Sequence, residues 1–176
     1  EPGAIAFAVA KARSFTKGDI KKVNVAMNSG MYKNAFTCGI PNSNEVGNVF
    51  AAALGVVAGN ADKGLESLAD VTPEENVKAQ EMIDQGKITV ELSGITSRIF
   101  IEATVETEED KAIVTIRDSH TNITKIIVND KVELETEDEK KTEEDGGEEE
   151  SHSIHKYTLQ QLYDYVTTVD IEEIRF

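Results

Sequence analysis

The chain has 176 residues, one cysteine and a formal net charge of −15, so no internal disulfide can form and no basic patch is present for nucleic acid. Hydrophobic residues make up 39%, and the shortfall is local: residues 133–150 hold eleven acidic side chains and two lysines, a charge of −9 that leaves −6 for the remainder. The apolar stretches Ala4–Ala10 and Val49–Ala58 are too short to span a bilayer, and no basic n-region of a signal peptide is seen.

The first predicted element is a helix over residues 3–15, with Ile5, Val9 and Ala12 at helical spacing and alanine filling much of the rest. Gly18 stops it. A strand follows from Ile20 to Met27, where Val23, Val25 and Met27 alternate with Lys22, Asn24 and Ala26. Asn28-Ser29-Gly30 breaks the pattern, and Met31–Asn44 reads as a polar loop. The second helix carries Val46, Val49, Phe50, Ala53, Leu54 and Val57 on one face, with Asn42 and Glu45 as its capping pair and Gly59-Asn60 as its end. A turn of helix is expected near residues 64–69. Thr72-Pro73-Glu74-Glu75 then starts a third helix, which runs to Gln85 and stops at Gly86.

From Lys87 the period changes to two. The runs are Ile88–Leu92, Ile99–Val105, Ala112–Ile116 and Ile123–Val128, joined by short connections. Short links between alternating strands predict an antiparallel meander with one packed face. The expected fold is therefore α+β: an antiparallel sheet of about four to five strands with helices packed on one face. Three segments follow: an α+β domain over 1–132, a mobile acidic loop over 133–153, and a C-terminal helical segment over 154–176. The last carries Leu159, Leu162, Tyr163 and Val166 on one face. A start other than Met and a helical pattern at the far end read as a segment of a longer protein.

Several stretches resemble one family in combination. Glu1-Pro2-Gly3-Ala4-Ile5-Ala6 runs into an alanine-rich helix ending Ala10-Lys11-Ala12-Arg13. Met31-Tyr32-Lys33-Asn34-Ala35, Gly39-Ile40-Pro41, Ala51–Gly55, Val71-Thr72-Pro73-Glu74 and Ser119-His120-Thr121-Asn122-Ile123 follow in order. In this sequence the chain resembles the iron–sulfur L-serine dehydratase alpha-chain / L-cysteine desulfidase family, from residue 1 to about 128 by its run of motifs. Cys38 departs from that pattern, as does the length of the acidic run. The resemblance implies a cytoplasmic, oxygen-sensitive lyase with a 4Fe–4S cluster, which eliminates water or sulfide from L-serine or L-cysteine to give pyruvate and ammonia. It also implies that the cluster is held by thiolates outside this chain, so that the partners are a small L-amino acid, the remaining cluster-binding domain of the same protein and, as an open question, a second copy. Neither nucleic acid nor membrane is expected.

The candidate site residues are Glu1, Lys33, Asn34, Thr37, Gly39 and His120. Lys33 can pair with an anion, and the Asn34 amide can both donate and accept; their bland reading is loop architecture. Thr37 adds a hydroxyl, Gly39 admits a ligand close to the backbone, and the helix that follows offers free N–H groups to a carboxylate. The resemblance gives Glu1 the substrate ammonium group, although an end residue ordinarily frays. It makes His120 the candidate base or substrate contact, whereas spacing alone gives a turn residue. Cys38 reads as a buried, reduced thiol, and His152 and His155 as solvated residues beside the acidic run. The rival functions are a non-catalytic small-molecule-binding or regulatory domain, and an interaction module that offers the acidic run to a basic partner.

Overall fold

A computed structural model describes residues 1–96, 98–136 and 157–170 of the chain. Two compact units are present, Glu1–Asp138 and Glu139–Phe176. The first contains α1 (Pro2–Arg13), β1 (Ile20–Asn28), α2 (Ser29–Ala35), α3 (Asn48–Ala58), a 3₁₀ stretch (Ala61–Glu66), α4 (Pro73–Asp84) and five further strands. These are β2 (Ile88–Gly94), β3 (Phe100–Thr107), β4 (Lys111–Arg117), β5 (Ile123–Val128) and β6 (Lys131–Glu135).

The fold is α+β as expected, but its sheet has six strands and is mixed, in the order β2-β1-β3-β4-β5-β6. β1 and β2 run parallel, with Val23, Val25 and Met27 opposite Ile88, Val90 and Leu92. Every other neighbouring pair is antiparallel. The expected pairing of β2 with β3 is replaced by the insertion of β1 between them. A parallel pair needs a long crossover, and α2, α3 and α4 supply it. The alternation of side chains is the same in either pairing, so period alone does not reveal the order.

β6 overlaps the start of the expected acidic loop. Leu134 pairs with Ile126 and Val132 with Ile127, so the strand contributes apolar side chains to both faces of the edge. Asn129 and Asp130 close the β5–β6 hairpin with φ of 48° and 64°, the left-handed pair that a tight two-residue turn requires. Most of the acidic run, together with His152 and His155, lies outside the described residues.

One face of the sheet is the core face. Val23, Val25 and Met27 of β1, Ile101, Ala103 and Val105 of β3, and Ala112, Val114 and Ile116 of β4 are all buried there. α1 lies on β3 and β4, α3 packs on α1 and reaches β2, and α4 packs on α3. The helices are rich in alanine because α1 and α3 nearly touch through their backbones. A Cβ on Gly55 would stand 2.8 Å from the Ala6 carbonyl oxygen, closer than real Cβ contacts allow.

The helix ends follow local chemistry. At α4, Thr72 Oγ1 accepts from the Glu75 N–H while the Glu75 carboxylate accepts from the Thr72 N–H at 2.8 Å, the expected capping box. At α3 the expected Asn42–Glu45 pair does not form. Asn42 adopts φ of 57° and donates its amide to the Leu68 and Ala69 carbonyls instead. Gly47, at φ of 94°, starts the helix, where a Cβ would meet the Phe36 carbonyl oxygen at 2.7 Å.

α2 replaces the first part of the expected loop: Met31 and Ala35, four residues apart, bury one face of this short helix. In the second unit, α5 (Leu159–Thr168) opens with a Thr158–Gln161 capping box and leaves Leu159, Tyr163 and Val166 of its apolar face exposed. Among the described residues no helix is long and apolar enough to cross a membrane.

Candidate functional site

The C-terminal ends of β1, β2 and β4 fall at one edge of the sheet, because β4 is antiparallel to β3 and β3 to β1. α1 is tied down at the opposite edge. There the Lys17 N–H, just past its end, donates to the Asp110 carboxylate at 2.9 Å in the β3–β4 turn. The N-terminus of α1 therefore arrives where β1 hands over to α2 and β4 turns into β5.

Three of the six candidates meet at that edge. Asn34 Nδ2, on α2, donates to Glu1 Oε1 over 3.3 Å. His120 Nε2, from the β4–β5 turn, approaches the same oxygen at 3.6 Å. This is longer than a hydrogen bond but within ion-pair range if the imidazole is protonated. The side chains of His120 and Glu1 are 37% and 23% exposed, so a small molecule can reach the pair. Glu1 Oε2 is shut off from solvent and has no hydrogen-bond donor among the described residues. The carboxylate thus retains unused acceptor capacity beside an amide and an imidazole. Glu1 is no frayed end here: its carbonyl accepts the N–H groups of Ala4 and Ile5 and opens α1.

The remaining three candidates do not join this cluster through any hydrogen bond or ion pair among the described residues. Lys33 is exposed on α2, Thr37 is exposed in the turn after it, and Gly39 forms an isolated bridge with Val46. A Cβ on Gly39 would meet nothing within 4 Å, so open space lies beside it. Cys38 is half-exposed, not buried, and its thiol donates to the Asn34 carbonyl at 2.7 Å.

Two residues that the sequence did not single out hold the edge together. Asn28, 2% exposed at the end of β1, donates to the Thr96 carbonyl at 2.9 Å and accepts from the Phe100 N–H at 3.1 Å. This amide ties the strand that leads into Asn34 to the segment between β2 and β3. A buried amide at a strand end was the available signal, but Asn28-Ser29-Gly30 reads first as a simple breaker. Ser29 adds a weaker bond to the same Thr96 carbonyl, at 3.3 Å.

Fold and site together define the class: an α+β domain with a carboxylate–amide–imidazole cluster at the edge of a mixed sheet. The chain is similar to proteins named UPF0597. One from Clostridium botulinum is 34% identical over 178 residues, which span 100% of this chain and 41% of the relative. One from Bacteroides fragilis is 34% identical over 177 residues, spanning 100% of this chain and 40% of its own. One from Caldanaerobacter subterraneus is 33% identical over 176 residues, spanning 100% and 41%. The chain therefore spans about two fifths of the length of these curated relatives. No family model matches it, and no solved structure matches it.

Proposed function

We propose that this chain is the substrate-side part of an iron–sulfur-dependent lyase that eliminates water or sulfide from L-serine or L-cysteine to give pyruvate and ammonia. The supporting observation is the convergence of Glu1, Asn34 and His120 on one carboxylate oxygen from three elements far apart in sequence. Each of the three also falls within a motif that resembles the lyase family. The chain's own residues do not fit a 4Fe–4S cluster. A cubane takes four ligands, usually thiolates, whereas the sequence holds a single cysteine. Among the described residues no group of three His, Cys, Asp or Glu side chains could hold a metal ion. The cluster belongs in this reading to the rest of the whole protein, and no step is routed through it here.

What the chain supplies is placement and proton handling. The Glu1 carboxylate holds the substrate ammonium group, and the Asn34 amide fixes the carboxylate's orientation while its own oxygen remains an acceptor. His120, partly exposed beside Glu1, takes the α-proton on a ring nitrogen. Lys33, Thr37 and Gly39, on the exposed stretch after Asn34, are the candidates for the substrate carboxylate.

The test is Asn34→Ala and Glu1→Gln in the full-length protein, assayed for pyruvate, ammonia and sulfide under anaerobic conditions. Each is expected to lower kcat/KM at least tenfold, about 1.4 kcal/mol of transition-state stabilisation, with the cluster and the fold intact. Full activity in Asn34→Ala with an intact cluster makes the cluster of side chains structural and refutes the reading.

A further inference from the structure

The face of the sheet opposite α1 and α3 carries a cleft of about 430 Å³. The strand register orders its lining in rows. Phe100 lies opposite Arg117. Glu102, Thr115, Lys125 and Glu135 form the next row across β3–β6, and Ile113 and Ile127 the one after. Charge and hydroxyl thus sit towards one end, and aliphatic surface at the other.

Two opposite charges in this cleft are left without a charged partner. Arg117 rests its guanidinium over the Phe100 ring at 5.2 Å, and no carboxylate pairs with it among the described residues. Glu102 has a single weak contact, from the Thr115 hydroxyl at 3.5 Å, and likewise no cation. Lys125, by contrast, is already engaged by Glu135 at 2.7 Å. Arg117 and Glu102 occupy diagonal positions on adjacent strands, roughly 7–8 Å apart at the backbone, within reach of each other's neighbourhood yet not in contact. Stacking on Phe100 costs the guanidinium some freedom but leaves its N–H fork available for a carboxylate. Beneath them Thr115 is 4% exposed, and Ile113 and Ile127 are half-buried on the face turned away from α1 and α3.

We propose that this cleft binds a small aliphatic α-amino acid as its zwitterion, with the carboxylate on Arg117, the ammonium group on Glu102 and the side chain along Ile113 and Ile127. The three chemistries lie in the order in which such a molecule presents them. A site with both charges supplied by the protein prefers a zwitterion to a simple anion or amine, because either of those leaves one protein charge unanswered. The cleft shares no residue with the Glu1–Asn34–His120 cluster, so the proposal stands or falls apart from the lyase reading.

Calorimetric titration of the full chain with L-leucine tests it. Saturable binding of one molecule per chain is expected. 4-Methylpentanoate, which lacks the ammonium group, and isopentylamine, which lacks the carboxylate, are each expected to bind at least tenfold more weakly to the unaltered chain, about 1.4 kcal/mol. Arg117→Gln and Glu102→Gln should weaken L-leucine by a similar factor while circular dichroism shows the sheet retained. The proposal is overturned by an absence of saturable binding at millimolar L-leucine, or by equal binding of either analogue. It is also overturned if binding survives both cleft variants and is lost in Asn34→Ala, which would place the ligand at the other site.

Discussion

Alanine at position 55 is expected to destabilise the protein, against the usual trend for a helix interior. Gly→Ala in the middle of a helix ordinarily gains about 0.5–1 kcal/mol. Gly55, however, lies in α3 where α1 crosses it. The new methyl carbon would stand 2.8 Å from the Ala6 carbonyl oxygen, 2.9 Å from Ala6 Cα and 3.1 Å from Val9 Cβ. Two of these obstacles are backbone, and Ala6 and Val9 are fully buried, so no flexible side chain can swing aside. The helices must separate, and overpacking of this kind costs about 1–3 kcal/mol. The net expectation is a loss of about 1–2 kcal/mol, or a fall in Tm of about 2–8 °C for a domain of this size. Urea unfolding followed by circular dichroism measures it, with an unchanged m value as the sign that the folded and unfolded states keep their exposures. Gly39→Ala is the control, since nothing lies within 4 Å of its Cβ and its φ is not positive; it should stay within about 0.5 kcal/mol. A Gly55→Ala protein as stable as the original or more so would show that the α1–α3 contact is looser than described and refute the reasoning.

Removing the cap of α4 with Thr72→Ala should cost about 1 kcal/mol, read from the midpoint of urea unfolding; an unchanged midpoint would mean that the capping box contributes nothing. Leu54→Ala empties a fully buried position of α3 and should cost about 2–5 kcal/mol by the same measurement. Asp110 is held below the ordinary carboxyl value of 3.8, first by the Asn129 amide and then by the Lys17 N–H. Its ionised form therefore stabilises the fold above that value, and the contribution is lost as pH falls through the lowered one. The stability gap between the protein and Asp110→Asn should be full at neutral pH and close below about pH 4; a gap that widens in acid contradicts the sign. Anaerobic iron and sulfide reconstitution of this chain should yield no stoichiometric 4Fe–4S cluster by absorbance, and a full complement per chain would overturn the assignment of the ligands elsewhere.

Much of the fold was legible where one residue's chemistry decides one local outcome. Thr72, Pro73 and Glu75 announce α4 because a cap, a preset φ and a reciprocal carboxylate all act within a single turn. The apolar face of α3 was legible from Val49, Phe50, Ala53 and Leu54, but its start was not. Asn42 can cap a helix or take a left-handed turn, and the Leu68 and Ala69 carbonyls that decide between these are some 26 residues away. α2 was missed because Asn28, Ser29 and Gly30 all signal a break, while the burial of Met31 and Ala35 that sustains the helix comes from the core beneath. The slot that β1 takes between β2 and β3 depends on a crossover, and side-chain alternation carries no trace of it. Within the site, Glu1, Asn34 and His120 were each marked by motif, whereas their common meeting point required the strand order.

That strand order also explains why the cluster stands at this edge. With β2 parallel to β1, and β4 returning to the same sense across β3, three strands deliver their C-terminal ends to one edge. Asn34 follows directly from β1 through α2, and His120 follows β4 within three residues of Arg117. Glu1 arrives by a different route: it depends on where α1 lies across the sheet, which is set by the Ala6–Gly55 crossing and by the Lys17–Asp110 tether at the far edge. The three side chains therefore respond to different lesions. Forcing α1 away at Gly55 should shift Glu1 while leaving Asn34 on α2 and His120 in the β4–β5 turn, whereas cutting the Asn28 bonds to Thr96 and Phe100 should loosen Asn34 and leave Glu1 in place. If the carboxylate is what holds the substrate ammonium group, the first lesion should raise KM for the amino acid in the full-length protein well before it unfolds the domain. Thr72→Ala, which costs stability at α4 without touching α1 or β1, should leave KM where it was.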